Sequence, residues 1–219
     1  MYVVERFVSI NGESRRAGQL AVFVRFRGCN LNCSYCDTKW ANTDKCSAEE
    51  MSPEEIYKYI KSTGITNVTL TGGEPLLQKD MKKLLEILAE DRSLYVEIET
   101  NGSIDISGFK SIKNGPSLTM DFKLPSSGMC DKMLMDNYKY INERDTIKFV
   151  CGFDEDLEKA KEIIEKFKLT EKCAVYLSPV FGSIDLSYMV DFMKDNKLNG
   201  VNMQLQMHKY IWNPNEKGV

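Results

Sequence analysis

Residues 21–26 read AVFVRF, and residues 28–40 read GCNLNCSYCDTKW. The first run is rich in branched and aromatic side chains, which suit a pleated, half-buried surface, and it reads as a strand. The loop at its carboxyl end carries Cys29, Cys33 and Cys36 as C-x-x-x-C-x-x-C. The N-terminus, MYVVERFVSINGESRR, has charges at Glu5 and Arg6 and no long apolar stretch, so neither a signal peptide nor a membrane span is expected. A cytoplasmic protein is the reading. In a reducing compartment, adjacent thiols bind metal or do redox chemistry rather than form a disulfide framework. Cys46, Cys130, Cys151 and Cys173 are scattered and read as small, buried or half-buried apolar residues.

Working outward, strands and helices alternate. SPEEIYKYIKS (52–62) has Ser52 as N-cap, Pro53 at N1 and Glu55 closing a capping box, with Ile56, Tyr59 and Ile60 at helical spacing. NVTLT (67–71) is the next strand, and Met81, Leu84, Leu85 and Leu88 mark a helix. LYVEIET (94–100), LTMDFK (118–123), DTIKFVCG (145–152) and CAVYLSPV (173–180) are further strands. A helix carries Leu157, Ala160, Ile164 and Phe167 on one face, and another surrounds Met189 to Met193. The short run GVNMQLQ closes the pattern. Between the third and fourth strands there is no clear helix. This alternation predicts a parallel sheet of about six strands, either an open doubly wound sheet or a partial barrel. In both, chemistry collects at the carboxyl ends of the strands, where the cysteine loop, TGGEP, ETNG and DFKLPSSG all fall.

The 219 residues suit a single domain, residues 1–219, and 42% hydrophobic residues suffice for a core. A net charge of −3 points to no nucleic acid or anionic membrane as partner. Structural zinc wants four ligands, but only three thiols cluster, and the sole histidine, His208, is far along the chain. A thioredoxin-like pair leaves Cys29 unexplained. An electron-transfer ferredoxin needs a fourth thiolate. Three thiolates on a four-iron cluster leave one iron open to a small molecule, as a catalytic metal site requires.

C-x-x-x-C-x-x-C with Tyr35 just before the last cysteine resembles the radical S-adenosylmethionine enzymes. The resemblance implies that Cys29, Cys33 and Cys36 hold a 4Fe–4S cluster whose open iron chelates S-adenosylmethionine. It also implies cleavage of the sulfonium by one electron and hydrogen abstraction by a 5′-deoxyadenosyl radical. The family's GGEP loop stands here as Gly72, Gly73, Glu74 and Pro75, after a strand and about forty residues beyond the cysteines. INGESRRAGQLAVFVRFRGCNLNCSYCDT, TGGEPLLQ, ETNG, DFKLPSSG and QMHKYIWNPNEKGV resemble the 7-carboxy-7-deazaguanine synthase family over most of the chain. That resemblance implies the conversion of 6-carboxy-5,6,7,8-tetrahydropterin to 7-carboxy-7-deazaguanine with loss of ammonia, on a partial parallel β/α barrel, in queuosine and 7-deazapurine synthesis. A glycyl-radical activase shares the cluster but should bind a large polypeptide. A non-catalytic iron–sulfur or zinc module has no use for GGEP.

The resemblance also implies roles. Thr38 is a Mg2+ ligand, consistent with the metal's preference for oxygen. Tyr35, Cys36, Asp37, Gly72, Gly73, Glu74, Asn101, Asp121, Phe122, Lys123 and Ser178 lie toward S-adenosylmethionine. Ile10, Asn11, Gly12, Glu13, Arg25, Thr71, His208 and the terminal carboxylate of Val219 lie toward the pterin. Arg25 interrupts an apolar strand, and its guanidinium offers a fork for a carboxylate. The family form Q-G-E-G is here Asn11-Gly12-Glu13-Ser14, a departure at two positions. The tail, residues 207–219, is expected to close over the substrate, with Tyr210, Ile211 and Trp212 docking as an apolar patch. An electron donor such as flavodoxin or ferredoxin, and a homodimer, complete the expected partners.

Overall fold

A computed structural model describes residues 1–43 and 45–219. Within them the elements run β1 (Tyr2–Ile10), β2 (Leu20–Phe26), β3 (Glu49–Glu50), α1 (Pro53–Ser62), β4 (Asn67–Gly72), α2 (Met81–Glu90), β5 (Tyr95–Thr100), α3 (Ser107–Lys110), β6 (Ser117–Phe122), β7 (Thr146–Cys151), α4 (Asp154–Phe167), β8 (Ala174–Pro179), α5 (Leu186–Asp195), β9 (Val201–Met203) and α6 (His208–Ile211). One open sheet has the order β3-β1-β2-β4-β5-β6-β7-β8-β9. From β2 to β9 every pairing is parallel, while β1 runs antiparallel to both β2 and β3. This is the partial β/α barrel.

The six expected strands are present, but the sheet has nine. The main addition is β1. Val3, Val4, Phe7, Val8 and Ile10 gave it a strand composition, broken by the charges of Glu5 and Arg6. Both charges are paired in the fold, Glu5 across the ladder with Arg25 at 2.9 Å and Arg6 with Glu49 at 2.9 Å. The segment between β5 and β6 holds just the single turn of α3.

Helix α1 starts as its sequence predicts. The Glu55 amide donates to Ser52 Oγ, and the Ser52 amide donates to Glu55 Oε2. Such a box contributes about 1 kcal/mol. The larger contribution is burial. Val68, Leu70, Ile98, Leu118, Met120, Phe122, Ile147, Phe149, Val175 and Leu177 form one face of the sheet. They join Ile56, Ile60, Leu84, Leu85, Leu88, Leu157, Ala160 and Ile164 of the helices in a single core. Each large side chain so buried contributes roughly 1.5–3 kcal/mol.

The opposite face is polar. Parallel strands covered on both sides usually read as continuous apolar runs. Here they alternate, and register carries the alternation across the sheet. Arg25 pairs with Thr71, Thr69 with Glu97, Glu99 with Thr119, Asp121 with Lys148, and Lys148 with Tyr176. The period of two in each strand puts all of these on the inner face, and the curved sheet turns that face into a polar lumen.

Candidate active site

The cysteine loop leaves β2 through Gly28, whose φ of 92° suits glycine. Three neighbours hold it. The Ser34 amide donates to the Ser127 carbonyl at 3.0 Å, and Ser34 Oγ to the Ser126 carbonyl at 2.6 Å. The hydroxyl of the half-buried Tyr35 donates to the Val150 carbonyl near the end of β7 at 3.4 Å. The Glu74 amide donates to the Gly28 carbonyl at 2.8 Å. A Cβ on Gly73 would collide with that same carbonyl oxygen, and one on Gly72 with the carbonyl of Phe26. Both glycines are therefore required where the GGEP loop presses on the root of the cysteine loop.

Glu74 is fully buried, and the chain itself occupies its carboxylate. It accepts from the Leu76 amide, from Thr100 Oγ1 and from the Asn101 amide, at 3.0, 3.0 and 2.7 Å. Burial pushes its pKa up against those three bonds. The side chain thus ties the loop after β4 to the loop after β5, so a cofactor contact at GGEP falls to the main chain. Asn101 continues the link, donating through Nδ2 to Asn30 Oδ1 at 3.0 Å and to Cys29 Sγ at 3.6 Å.

No disulfide joins any of the seven cysteines. Burial pushes the Cys29 and Cys33 thiols up; the Asn101 bond opposes this at Cys29, and the Lys123 ammonium opposes it at Cys33. Each of the two also feels Cys36. Among the described residues no three Cys, His, Asp or Glu side chains converge on one ion. Cys46 lies apart, its thiol directed to the Ser47 carbonyl, and Cys151 is buried in the core, as expected of apolar residues.

Asp121 and Lys123 pair at 2.7 Å. Asp121 Oδ1 is buried and meets no hydrogen-bond donor among the described residues, an acceptor suited to a ligand's donor. At Phe122 only the main chain is left for the expected cofactor contact. Its side chain points to the other face, packed against Phe149 with ring centroids 5.7 Å apart, because neighbours on a strand alternate. Ser178, expected toward the cofactor, is buried and donates to Glu13 Oε1 at 3.1 Å.

Glu13 gathers the substrate-side residues. Its Oε2 accepts from Lys148 Nζ at 3.2 Å and from Gln206 Nε2 at 3.1 Å. Burial raises its pKa, but the Lys148 ammonium, the Gln206 bond and His208 outweigh that and hold it low. The two departures from Q-G-E-G each have a local place. Asn11 Oδ1 accepts from Thr69 Oγ1 at 2.8 Å. Ser14 has a φ of 66°, a conformation glycine adopts freely, and its hydroxyl lies 3.0 Å from Thr119 Oγ1. Gly12 backs onto His208, where a Cβ would stand 2.5 Å from Nδ1. Ile10 closes the β1–β2 ladder opposite Leu20. Arg25 donates through Nε to Glu5 at 2.9 Å, and Thr71 Oγ1 donates to Glu99 Oε2 at 2.7 Å. Glu13 and Arg25, flanking one turn in the sequence, thus hold different partners.

The tail meets the cysteine loop. The Met207 amide donates to the Gly12 carbonyl at 3.0 Å. Lys209 Nζ lies 3.3 Å from Asp37 Oδ2, and Lys217 Nζ stands 4.0 Å above the Trp40 ring. Thr38 Oγ1 donates to Asp37 Oδ1 at 2.9 Å, so hydroxyl and carboxylate oxygens sit together as a hard cation requires. Of the expected apolar anchor, Trp212 is half-buried. Tyr210 and Ile211 are more than half exposed, and Tyr210 merely touches Phe181 edge-on. Val219 is half-buried.

Lys148, Gln206, Glu97, Glu99 and Lys209 belong to the site but were not among the expected residues. Lys148 and the two glutamates carried the same signal as Arg25, a charge inside a strand. Lys209 lies in the polar tail and Gln206 just before it, with no such signal.

The model of the Radical SAM superfamily matches residues 23–194. A 7-carboxy-7-deazaguanine synthase of Clostridium acetobutylicum is 57% identical over 217 residues, 99% of this chain and 98% of that protein. One of Chlorobaculum tepidum is 36% identical, over 99% of this chain and 96% of its own length. The crystal structure of QueE from Escherichia coli superposes with a TM-score of 0.74 over 94% of both chains at 22% identity, a likeness of fold. The chain belongs to the radical SAM superfamily and, within it, to the 7-carboxy-7-deazaguanine synthase family.

Proposed function

We propose that this chain contracts the ring of 6-carboxy-5,6,7,8-tetrahydropterin to 7-carboxy-7-deazaguanine, releasing ammonia, within the polar lumen. Family membership brings a 4Fe–4S cluster, S-adenosylmethionine and Mg2+ as cofactors, and a small molecule as substrate. When bound, the cluster and S-adenosylmethionine supply one-electron chemistry that yields a hydrogen-abstracting radical. The observation that carries the reading is the meeting of three segments around the lumen: the cysteine loop at the carboxyl ends of the strands, the loop of Asn11 to Ser14 entering from their amino ends, and the segment from Gln206 to Lys209 that touches both.

Cys29, Cys33 and Cys36 would hold the cluster, and Thr38 the Mg2+. The main chain of Gly72 and Gly73, with Tyr35, Asp37, Asn101, Asp121 and Lys123, would bind S-adenosylmethionine. The main chain of Ile10 to Gly12, with Thr71, His208 and the Val219 carboxylate, would orient the pterin. Arg25 would take its carboxylate, because a guanidinium has five donors and the Glu5 bond uses one. In this reading the whole chain works as one unit and residues 207–219 exclude water from the substrate. A flavodoxin or ferredoxin as reductant, a homodimer and a cytoplasmic location belong to the same proposal. No helix among the described residues is long and apolar enough to cross a membrane.

Anaerobic reconstitution with iron, sulfide, dithionite, S-adenosylmethionine, Mg2+ and the carboxytetrahydropterin tests the proposal. The expected product is the deazaguanine, with deuterium from C6 of the pterin recovered in 5′-deoxyadenosine. Alanine at Cys29, Cys33 or Cys36 should abolish iron and sulfide loading, and Cys46→Ala should not. A fully loaded Cys33→Ala protein, or 5′-deoxyadenosine formed with the pterin intact, would sink the reading.

A further inference from the structure

Lys148 stands in the middle of β7, a strand whose every residue is buried. A buried ammonium costs several kcal/mol unless it is paired. Burial works against the Lys148 charge, yet Glu13, Asp121 and Glu99 outweigh it and hold the pKa above that of a free lysine. The nearest carboxylate is Glu13, with Oε2 at 3.2 Å; Asp121 Oδ2 is at 4.0 Å and has Lys123 of its own at 2.7 Å. Among the described residues Lys148 is the one cation in salt-bridge contact with Glu13. Ser178 and Gln206 add neutral bonds to the same carboxylate. Glu13 thus draws the loop of Asn11 to Ser14 down onto β7, β8 and the segment that precedes the tail.

We propose that Lys148 is a positioning residue for the substrate: through Glu13 it fixes the loop whose main chain meets the pterin and whose Gly12 seats His208. The proposal rests on the functional reading above, which assigns that loop to the pterin. Without the ammonium, the buried Glu13 carboxylate keeps the neutral bonds of Ser178 and Gln206 but loses its salt-bridge partner. It must then take up a proton or leave its seat, and either change loosens the loop. The cluster and S-adenosylmethionine side keeps its own charge pair in Asp121 and Lys123. The effect falls chiefly on the pterin, because Asp121, 4.0 Å from Lys148, has Lys123 closer at 2.7 Å.

The test is a binding cycle on the reconstituted protein. Dissociation constants for the carboxytetrahydropterin and for S-adenosylmethionine are measured separately in the parent, Lys148→Met, Glu13→Gln and the double variant, with iron content and thermal midpoint beside them. Lys148→Met should weaken pterin binding about tenfold or more, leaving S-adenosylmethionine affinity and iron content within about twofold. In the Glu13→Gln background the same change should cost less than about threefold, because there is no longer a charge to balance. Lys148→Arg, which retains the charge, should stay close to the parent. Lys148→Gln supplies the neutral arm if Lys148→Met does not fold. A lower thermal midpoint with unaltered pterin affinity would make Lys148 a stability residue and overturn the proposal. Loss of S-adenosylmethionine affinity alone would overturn it too, assigning Lys148 to Asp121. A parent that binds no pterin sinks the functional reading and the proposal together; a parent that binds, with a Lys148→Met variant that binds equally, sinks the proposal alone.

Discussion

Lys209 Nζ lies 3.3 Å from Asp37 Oδ2 and 2.9 Å from the carbonyl oxygen of Pro214, so one ammonium joins the C-terminal tail to the loop that carries the three cysteines. Asp37 is about half exposed and Lys209 is nearly buried. A pair of this kind contributes roughly 0.2–1 kcal/mol and weakens in salt. Lys209→Ala should therefore increase hydrogen exchange across residues 207–219 and raise the pterin dissociation constant a few-fold, with the difference from the parent shrinking at high ionic strength. Unchanged exchange in the tail would detach Lys209 from its closure.

Glu74 makes a second prediction, because its carboxylate satisfies three donors inside the fold. Glu74→Ala leaves the Leu76 amide, Thr100 Oγ1 and the Asn101 amide buried without their acceptor. The expected loss is about 3 kcal/mol or more, visible as a lower thermal midpoint of the cluster-free protein. Iron loading should fall as well, since Asn101 touches Cys29. A cluster-free variant as stable as the parent would return Glu74 to the cofactor.

Glu97 sets a pH dependence. It is buried, and Thr119 Oγ1 donates to it at 2.6 Å. Burial raises its pKa above the ordinary 4.5, against the Thr119 and Ser14 bonds. The folded chain thus holds this proton more tightly than the unfolded chain does. The stabilising contribution is complete below about pH 4.5 and is lost as the pH rises through the folded value. Glu97→Gln is uncharged throughout. Its thermal midpoint should fall less than the parent's between pH 5 and pH 8 and exceed the parent's at pH 8, by about 2–4 °C per kcal/mol for a chain of this size. Parallel pH profiles for the two proteins would count against a raised Glu97.

The end of the chain gives a fourth prediction. If the Val219 carboxylate is a pterin ligand, chain length matters and side-chain identity does not. Val219→Ala should be nearly silent. Deleting Gly218 and Val219, or adding a C-terminal tag, should raise the pterin dissociation constant with iron content unchanged. A tagged protein with untagged affinity would make the tail an ordinary frayed terminus.

By itself the sequence determined whatever depends on neighbours along the chain. The capping box of Ser52 and Glu55, the helix faces and the central strands come from local spacing and propensity. So does the loop of Cys29, Cys33 and Cys36, since its ligand spacing is written in eight consecutive residues. Strand β1 was less legible, because Glu5 and Arg6 interrupt its apolar pattern and find partners only across the sheet. The tertiary structure alone decided which charges share a lumen. Parallel register sets Asp121 beside Lys148, residues 27 positions apart, and brings Glu13 onto Lys148 over a separation of 135. It turned Phe122 into the core, made Glu74 an internal tie and seated Ser178 on Glu13. A buried charge is tolerated only where an opposite charge or a donor meets it, and such a partner is fixed by the packing of distant strands rather than by sequence spacing.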